Sequence, residues 1–446
     1  MAEKISIISL GCARNLVDSE VMDGILRQSR YQVVSDPAEA DVVLINTCSF
    51  IDAAKEESID TILQAARLKE EGKLQTLVVA GCLSQRYSKE LMEELPEVDL
   101  FIGTGEVPRI AEILREHHES KKGRLYVGIP SYLYDHATPR IRTTPSHTAF
   151  IKVSEGCDHK CAFCIIPQLR GPHRSRSIDS IVKEAATIAG QGVKEVNLIA
   201  QDLTAYGRER RDGTTLYGLL RELVDVPGIH WIRLLYAYPN YLEEPLLHLI
   251  RDNEKICKYI DIPFQHISGR ILSRMRRGKS GSNVREAIHK IREAIPNVTL
   301  RTSLIVSFPG ETEEEFQELL DFVAEAQFDR LGVFKYSIEE GTAAALMEDQ
   351  VADEEKERRW QELMEAQTEI SRSKNEALIG SVQRVMIDGL DSENTERVIG
   401  RTQAHAPEVD GVVYLEKRTA VKAGDFVNAA ITEALDYDLI GDILDA

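Results

Sequence analysis

Ser154-Glu-Gly-Cys-Asp-His-Lys-Cys-Ala-Phe-Cys164 follows directly on an apolar run at 150–153. Its cysteines, Cys157, Cys161 and Cys164, stand at C-x3-C-x2-C spacing. Three thiolates on one tight loop can ligate three irons of a 4Fe–4S cluster, because such clusters are held by cysteines. The fourth iron is then open to a small molecule. A zinc loop, with four protein ligands or three and a water, and chance spacing are the competing readings. A loop at the carboxyl end of a strand also lies where β/α proteins carry their sites.

The surrounding pattern extends this reading. Strand candidates recur at 150–153, 195–200, 231–236, 259–264, 298–306 and 331–336, with helical patterns between them. Six β/α repeats are too few for a closed eight-stranded barrel and enough for an open, partial one. Thr312-Glu-Glu-Glu315 after Pro309-Gly310 has the form of a helix-starting capping box. Residues 353–377 read as one long charged helix. Beyond Gly380, short alternating runs at 383–387, 396–402, 412–415, 426–432 and 439–444 predict a small all-β unit, a five-stranded barrel. Upstream, runs at 5–10, 42–45, 77–80 and 100–102 alternate with helical patterns, as in a doubly wound parallel sheet. The expected organisation is an α/β multidomain chain. It has an N-terminal sheet domain at 1–125, a Pro-, Thr- and Tyr-containing linker at 126–146, a partial (β/α)6 barrel at 147–375 and a β-barrel at 376–446.

Cys12, Cys48 and Cys82 are far apart in sequence, yet each follows a strand candidate. In a parallel sheet the carboxyl ends of the strands line one edge, where ligands bind. The three could therefore meet around one cofactor, or each could be a small buried apolar residue. Cys257, at the start of the fourth barrel strand, reads as core.

The chain has 446 residues, 43% of them hydrophobic and 28% charged. That composition excludes disorder, collagen-like repeats and small disulfide scaffolds. Seven cysteines, an odd number, argue for thiolate chemistry in a reducing cytoplasm. Neither a secretory leader nor a membrane span is expected. With 54 Lys and Arg against 73 Asp and Glu the net charge is −19, so general polyanion binding is excluded unless a local basic patch exists.

The C-x3-C-x2-C loop on a β/α repeat resembles the radical S-adenosylmethionine superfamily. The N-terminal cysteine triplet, partial barrel and C-terminal β unit together resemble its methylthiotransferases, whose last domain is a TRAM barrel. Three stretches resemble the branch that modifies a ribosomal protein. They are Gly11-Cys-Ala-Arg-Asn-Leu-Val-Asp-Ser-Glu20, Ile166-Pro-Gln-Leu-Arg-Gly-Pro-His-Arg-Ser-Arg176 and Phe328-Asp-Arg-Leu-Gly-Val-Phe-Lys-Tyr-Ser337. Ile338 departs from that pattern, which has Pro at this place.

The resemblance implies two 4Fe–4S clusters and S-adenosylmethionine. Cys157, Cys161 and Cys164 would bind the radical-generating cluster. Cys12, Cys48 and Cys82 would bind an auxiliary cluster whose open iron carries sulfur. The target would be the Cβ of an aspartate in the twelfth small-subunit ribosomal protein. A one-electron donor such as flavodoxin or ferredoxin would be a partner. The strand-end residues Gln201, Asp202, Gln265, Thr302 and Ser303 are candidates for S-adenosylmethionine binding, as residues at such ends face a barrel site. Gln265 is followed by His266 at the end of the fourth strand, and His159 reads as supporting the cluster loop. Two basic groups, Arg170, His173, Arg174 and Arg176, and Arg270, Arg274, Arg276, Arg277 and Lys279, read either as solvated faces or as contacts to the anionic side of the target.

Sister enzymes of the family modify adenosines in tRNA, and a non-catalytic iron–sulfur protein is a third reading. Residues 376–446 carry 14 Asp and Glu against 6 Lys and Arg, a balance of −8, and only three aromatics, Tyr414, Phe426 and Tyr437. A barrel that grips RNA presents a basic groove with aromatic platforms. This one suits a Lys- and Arg-rich protein better, so tRNA is not the expected partner.

Overall fold

The computed structural model describes residues 3–29, 31–120, 124–278, 281–416 and 421–444. Lys279, one of the basic residues singled out above, lies outside them.

The first domain is built from β1 (Lys4–Ser9), α1 (Ala13–Gln28), β2 (Gln32–Val33), β3 (Val42–Thr47), α2 (Asp52–Glu70), β4 (Thr76–Gly81), α3 (Cys82–Glu94), β5 (Leu100–Ile102), α4 (Ile110–Ser120) and β6 (Leu125–Tyr126). Its parallel sheet runs in the order β2-β1-β3-β4-β5-β6. Leu44, Val78 and Ile102 face Val17, Val21 and Ile113 from α1 and α4. Val43, Val79 and Phe101 face Ile62, Ala66 and Leu83 from α2 and α3. Covered on both sides, β3 and β4 are buried at every position, which is why they read as unbroken apolar runs. The sheet is doubly wound, as expected. Two short edge strands, β2 and β6, were not read from the sequence, and β6 begins inside the stretch adjoining the linker.

The central domain contains β7 (Thr148–Lys152), β8 (Ser154–Glu155), α5 (Ile166–Arg170), β9 (Arg174–Ser175), α6 (Ile178–Gly190), β10 (Glu195–Ile199), α7 (Leu216–Leu223), β11 (Trp231–Leu234), α8 (Glu244–Asp252), β12 (Ile256–Asp261), α9 (Gly269–Arg274), α10 (Gly281–Ala294), β13 (Thr299–Val306), α11 (Glu313–Ala326) and β14 (Arg330–Lys335). Six parallel strands pair in the order β14-β13-β12-β11-β10-β7, with β14 and β7 as the two edges. The outer face, including Ile151, Val196, Leu198 and Ile232, packs on the helices. Thr312 caps α11 in a full capping box with Glu315.

The inner face of this open barrel is filled by its neighbours. Phe150, Ile199, Trp231 and Tyr259 share one cluster with Val17, Val21 and Met22 of α1 and with Met386 and Ala406 of the C-terminal unit. A strap ties the first two domains. Arg140 holds Glu20 of α1 at 2.6 Å and Glu184 of α6 at 2.7 Å. Helix α1 therefore buries polar residues, among them Asn15, Asp18, Ser19 and Glu20, beside its apolar ones.

The chain ends in α12 (Asp353–Glu376) and a closed barrel of β15 (Val382–Leu390), β16 (Arg397–Arg401), β17 (Val413–Glu416), β18 (Phe426–Ala434) and β19 (Leu439–Ile443), ordered β15-β16-β17-β19-β18. Val385, Ile387, Val413, Leu415 and Ile431 form its core. It docks on the inner face of the central sheet through charge. Buried Glu195 accepts from Arg233 at 3.1 Å and from Arg401 at 2.9 Å. Trp231 meets Phe426 edge-on, with ring centroids 4.9 Å apart.

Candidate functional site

Both cysteine trios lie at carboxyl ends of parallel strands. The first begins beyond β7, where the short β8–β9 ribbon pairs Ser154 with Ser175. Gly156, at φ +78°, turns the chain into Cys157, and a side chain there would run into the Pro172 carbonyl. The loop is pinned from several sides. The Cys157 N–H donates to the Gly171 carbonyl at 3.1 Å and the Ala162 N–H to that of Met275 at 2.9 Å. His159 Nε2 lies 2.6 Å from Asp202 Oδ2, and its ring stacks on Tyr238 at 4.1 Å. Burial, reinforced by the neighbouring cysteines, pushes Cys157 up to about 11 and Cys164 up to about 12. Metal binding here must therefore displace thiol protons.

The second trio is assembled from three elements. Cys12 is the N-cap residue of α1, Cys48 follows β3, and Cys82 opens α3. Ser58 Oγ accepts from the Cys48 N–H at 3.1 Å and donates to its carbonyl at 3.0 Å. Burial first, then the neighbouring Cys82 and Cys12, push Cys48 up to about 11. Cys12 goes the other way. Burial opposes ionisation there, but the charges of Arg14 and Arg170 outweigh it and lower its pKa.

Arginines join the trios. Arg170, six residues after Cys164, crosses to the first domain. It donates to Asp18 Oδ2 at 2.5 Å, to Asn15 Oδ1 at 3.2 Å and to Cys82 Sγ at 3.5 Å. Lys152 completes this knot, 2.5 Å from Asp18 and 2.7 Å from Glu155. Arg14 Nη1 donates to the Ala200 carbonyl at the end of β10, 2.8 Å away, and its charge reaches Cys12, Cys48 and Cys164. Among the described residues no three His, Cys, Asp or Glu are drawn tightly enough to chelate one metal ion. Ligands of a cluster bind separate irons and stand farther apart than ligands sharing one ion.

Three family models match the chain in sequence. They are the uncharacterized protein family UPF0004 at residues 4–103, the radical SAM superfamily at 151–323 and the TRAM domain at 379–444. The chain is 51% identical over 441 residues to the "Ribosomal protein uS12 methylthiotransferase RimO" of Pelobacter propionicus, covering 99% of this chain and 98% of that one. It is 49% identical to the protein of the same name in Geobacter sulfurreducens, covering 99% of each. This chain belongs to the RimO family of radical S-adenosylmethionine methylthiotransferases. The solved radical S-adenosylmethionine methyltransferase TsrM of Kitasatospora setae shares the fold, with a TM-score of 0.55, 15% identity, and coverage of 75% of this chain and 73% of that one.

As a radical S-adenosylmethionine enzyme, this RimO-family transferase uses a 4Fe–4S cluster and S-adenosylmethionine. The five strand-end candidates take different places in it. Gln201 Nε2 donates to Glu155 at 2.6 Å, while its buried Oε1 has no partner among the described residues. Asp202 is committed to His159, Thr204 and the Ala205 N–H. Thr302 is buried between strands, donating to the Ile262 carbonyl at 2.7 Å and accepting from the Phe264 N–H at 3.2 Å. Gln265 has φ +72°, and its N–H donates to the Ser303 carbonyl at 2.9 Å. His266 is buried against Glu311 at 3.2 Å.

The first basic group is corrected by the structure. Arg170, His173 and Arg176 are buried, so they are neither a solvated face nor a target-facing patch. Arg176 pairs with Glu184 at 2.6 Å. Arg270 and Arg274 are tied to Glu315 and Asp349. Arg277 sits 3.8 Å from Cys161 Sγ and over Tyr238.

Several residues around the trios were not singled out as candidates, although Arg14, Asp18 and Glu155 lie inside the quoted stretches and Lys152 and Tyr236 inside strand candidates. One signal was available for the cysteines, since Gly11, Gly81 and Gly156 each precede one. A second signal is visible only in space. Tyr236, Gln265 and Ser307, at the ends of β11, β12 and β13, all adopt positive φ, at +66°, +72° and +60°. Strained non-glycine residues of this kind gather at functional sites.

Proposed function

We propose that this chain transfers a methylthio group to the Cβ of an aspartate in ribosomal protein uS12, using two 4Fe–4S clusters and S-adenosylmethionine. The relatives quoted above are named for uS12 and align along 99% of the chain. Cys157, Cys161 and Cys164 would hold the cluster that binds S-adenosylmethionine at its open iron. Cys12, Cys48 and Cys82 would hold the other. Their donor sets fit, with three sulfurs each and no fourth protein ligand assigned. When bound, these groups supply a 5′-deoxyadenosyl radical by one-electron cleavage of the sulfonium, and a sulfur that is methylated and transferred.

The chain's own residues orient and shield. Asp202 and Thr302 position the cluster loop and the strand ends. Gln201, with its orphaned Oε1, Gln265 and Ser303 are the contacts proposed for S-adenosylmethionine. The observation that carries the reading is Arg170, which rises from the helix after Cys164 and hydrogen-bonds Cys82 of the other trio at 3.5 Å. That reach makes one shared space for radical formation and sulfur delivery.

The C-terminal barrel supports a basic protein as the target. Phe426, one of its three aromatics, is spent against Trp231, and Arg401 is spent on Glu195 and Asp388. We place the domain limits near residues 125, 147 and 376, the enzyme in the cytoplasm, and a flavodoxin or ferredoxin as the electron donor. No helix among the described residues is long and apolar enough to cross a membrane. Intact-mass analysis of uS12 after anaerobic incubation with reconstituted enzyme, S-adenosylmethionine and reductant tests the proposal. A methylthio increment on one aspartate is expected. An unmodified uS12 alongside modified tRNA would overturn it.

A further inference from the structure

The six-stranded sheet of the central domain has two edges, and only one of them is covered. Along β7 the outward carbonyls of Thr148, Phe150 and Lys152 accept from Thr144 at 2.8 Å, Arg140 at 2.8 Å and Arg176 at 3.1 Å. The Lys152 N–H donates to the Tyr134 hydroxyl at 3.2 Å. Proteins cover sheet edges because a row of unpaired N–H and C=O groups is a template for another chain.

The opposite edge, β14, is open. The Asp329 N–H donates to the Leu300 carbonyl at 3.1 Å, and residues 330–335 then run in register with 301–306. Successive residues of a parallel ladder turn their backbone groups to alternate sides. Leu331 and Val333 therefore bond to β13, while Arg330, Gly332 and Phe334 turn their N–H and C=O groups outward. Among the described residues nothing hydrogen-bonds those outward groups. Phe334 is exposed although it lies on the inner face, where a methyl group on Gly332 would stand 3.3 Å from its ring and 3.8 Å from Ser303 Oγ.

The edge also leads to the site. At its start Arg301, the register partner of Arg330, approaches Asp410 of the C-terminal barrel at 3.7 Å. Midway it passes Ser303, one of the S-adenosylmethionine contacts proposed above. Just beyond its end the first domain closes on the chain, with Ser337 Oγ on Asp52 at 3.0 Å and Arg86 on Glu339 at 2.6 Å. Asp52 lies four residues after Cys48, with the exposed Phe50 between them.

We infer that the segment of the target protein carrying the modified aspartate binds extended along β14, as an added strand with Phe334 against its side chains. This rests on the uS12 reading above and adds where the target lies. Alternating backbone donors and acceptors are matched by an extended polypeptide, and main-chain bonds of this kind supply the affinity in strand addition. The net charge of −19 favours a basic protein in that place.

The test is residue-resolved hydrogen exchange of the reconstituted enzyme, alone and with saturating recombinant uS12. Alone, the amides of Arg330, Gly332 and Phe334 should exchange fast and those of Leu331 and Val333 slowly. Bound uS12 should slow the first three by about 10-fold or more, because the added strand closes them off from water. Gly332→Pro removes one outward donor and leaves the bonds to β13 in place. It should raise KM for uS12 by about 3- to 10-fold, the worth of one hydrogen bond. Gly332→Ala keeps the donor and should raise KM less. Bound and modified uS12 with these three amides unprotected would overturn the inference, as would a wild-type KM in Gly332→Pro. Protection by S-adenosylmethionine alone would also overturn it. Protection in the enzyme alone that grows with enzyme concentration would assign the edge to a second copy and overturn it too. If Gly332→Pro does not fold, the exchange pattern decides. An enzyme that neither binds nor modifies uS12 would refute the substrate reading on which the inference rests.

Discussion

Gly11 and Cys48 are in direct contact across the first domain. A methyl group on the Gly11 α-carbon would stand 2.6 Å from the Cys48 Cβ and 2.9 Å from its Sγ. Gly11 also has φ +85°, a conformation that side chains rarely adopt. Gly11→Ala should therefore displace Cys48 from Cys12 and Cys82. The expected result is loss of about four irons from the roughly eight that two 4Fe–4S clusters hold, with the fold retained by circular dichroism. Full iron content in the variant would show that the contact is slack.

The two trios should be separable. Replacing Cys157, Cys161 and Cys164 together with Ala should remove about half the iron of the reconstituted protein. It should also abolish 5′-deoxyadenosine formation under dithionite, measured by chromatography. Retained 5′-deoxyadenosine would move the radical cluster elsewhere.

The Asp18–Lys152–Glu155–Arg170 knot holds two domains together around the site. Asp18→Ala leaves two buried cations with one carboxylate. Breaking a buried pair in this way costs about 3–5 kcal/mol. Urea unfolding of the variant should fall well below wild type, and a change under about 1 kcal/mol would show that the knot contributes little.

A pH dependence follows from Glu195. Burial disfavours its charged form, but Arg401 and Arg233 more than compensate and hold it at about 2, below its ordinary 4.5. A depressed carboxylate stabilises the fold above its unfolded pKa and loses that contribution as pH falls through the folded one. The gap in melting temperature between wild type and Glu195→Gln should be full above about pH 5 and close toward pH 2. A gap that widens on acidification would contradict the assigned pairing.

Most of the elements were legible because their signals are local. Strands β3 and β4 read as apolar runs since helices cover both faces of the sheet. The start of α11 was legible because a capping box is a four-residue matter. Helix α1 was harder to read as a two-sided element. It is buried by its own sheet on one side and by the central domain on the other, so Asp18 and Glu20 sit where an amphipathic pattern expects solvent. The basic stretch from Arg170 to Arg176 misled for the same reason, because its carboxylate partners lie on distant segments.

Residue order alone determined the C-x3-C-x2-C spacing, the alternation of strands and helices, and the acidic balance of the last barrel. Each depends on neighbours a few positions apart. Folding in three dimensions decided that Arg170 reaches Cys82, that α1 and the last barrel fill the open face of the six-stranded sheet, and that Asp18 and Glu20 are buried. Those outcomes depend on which surfaces of distant segments bury one another, where spacing along the chain carries no information.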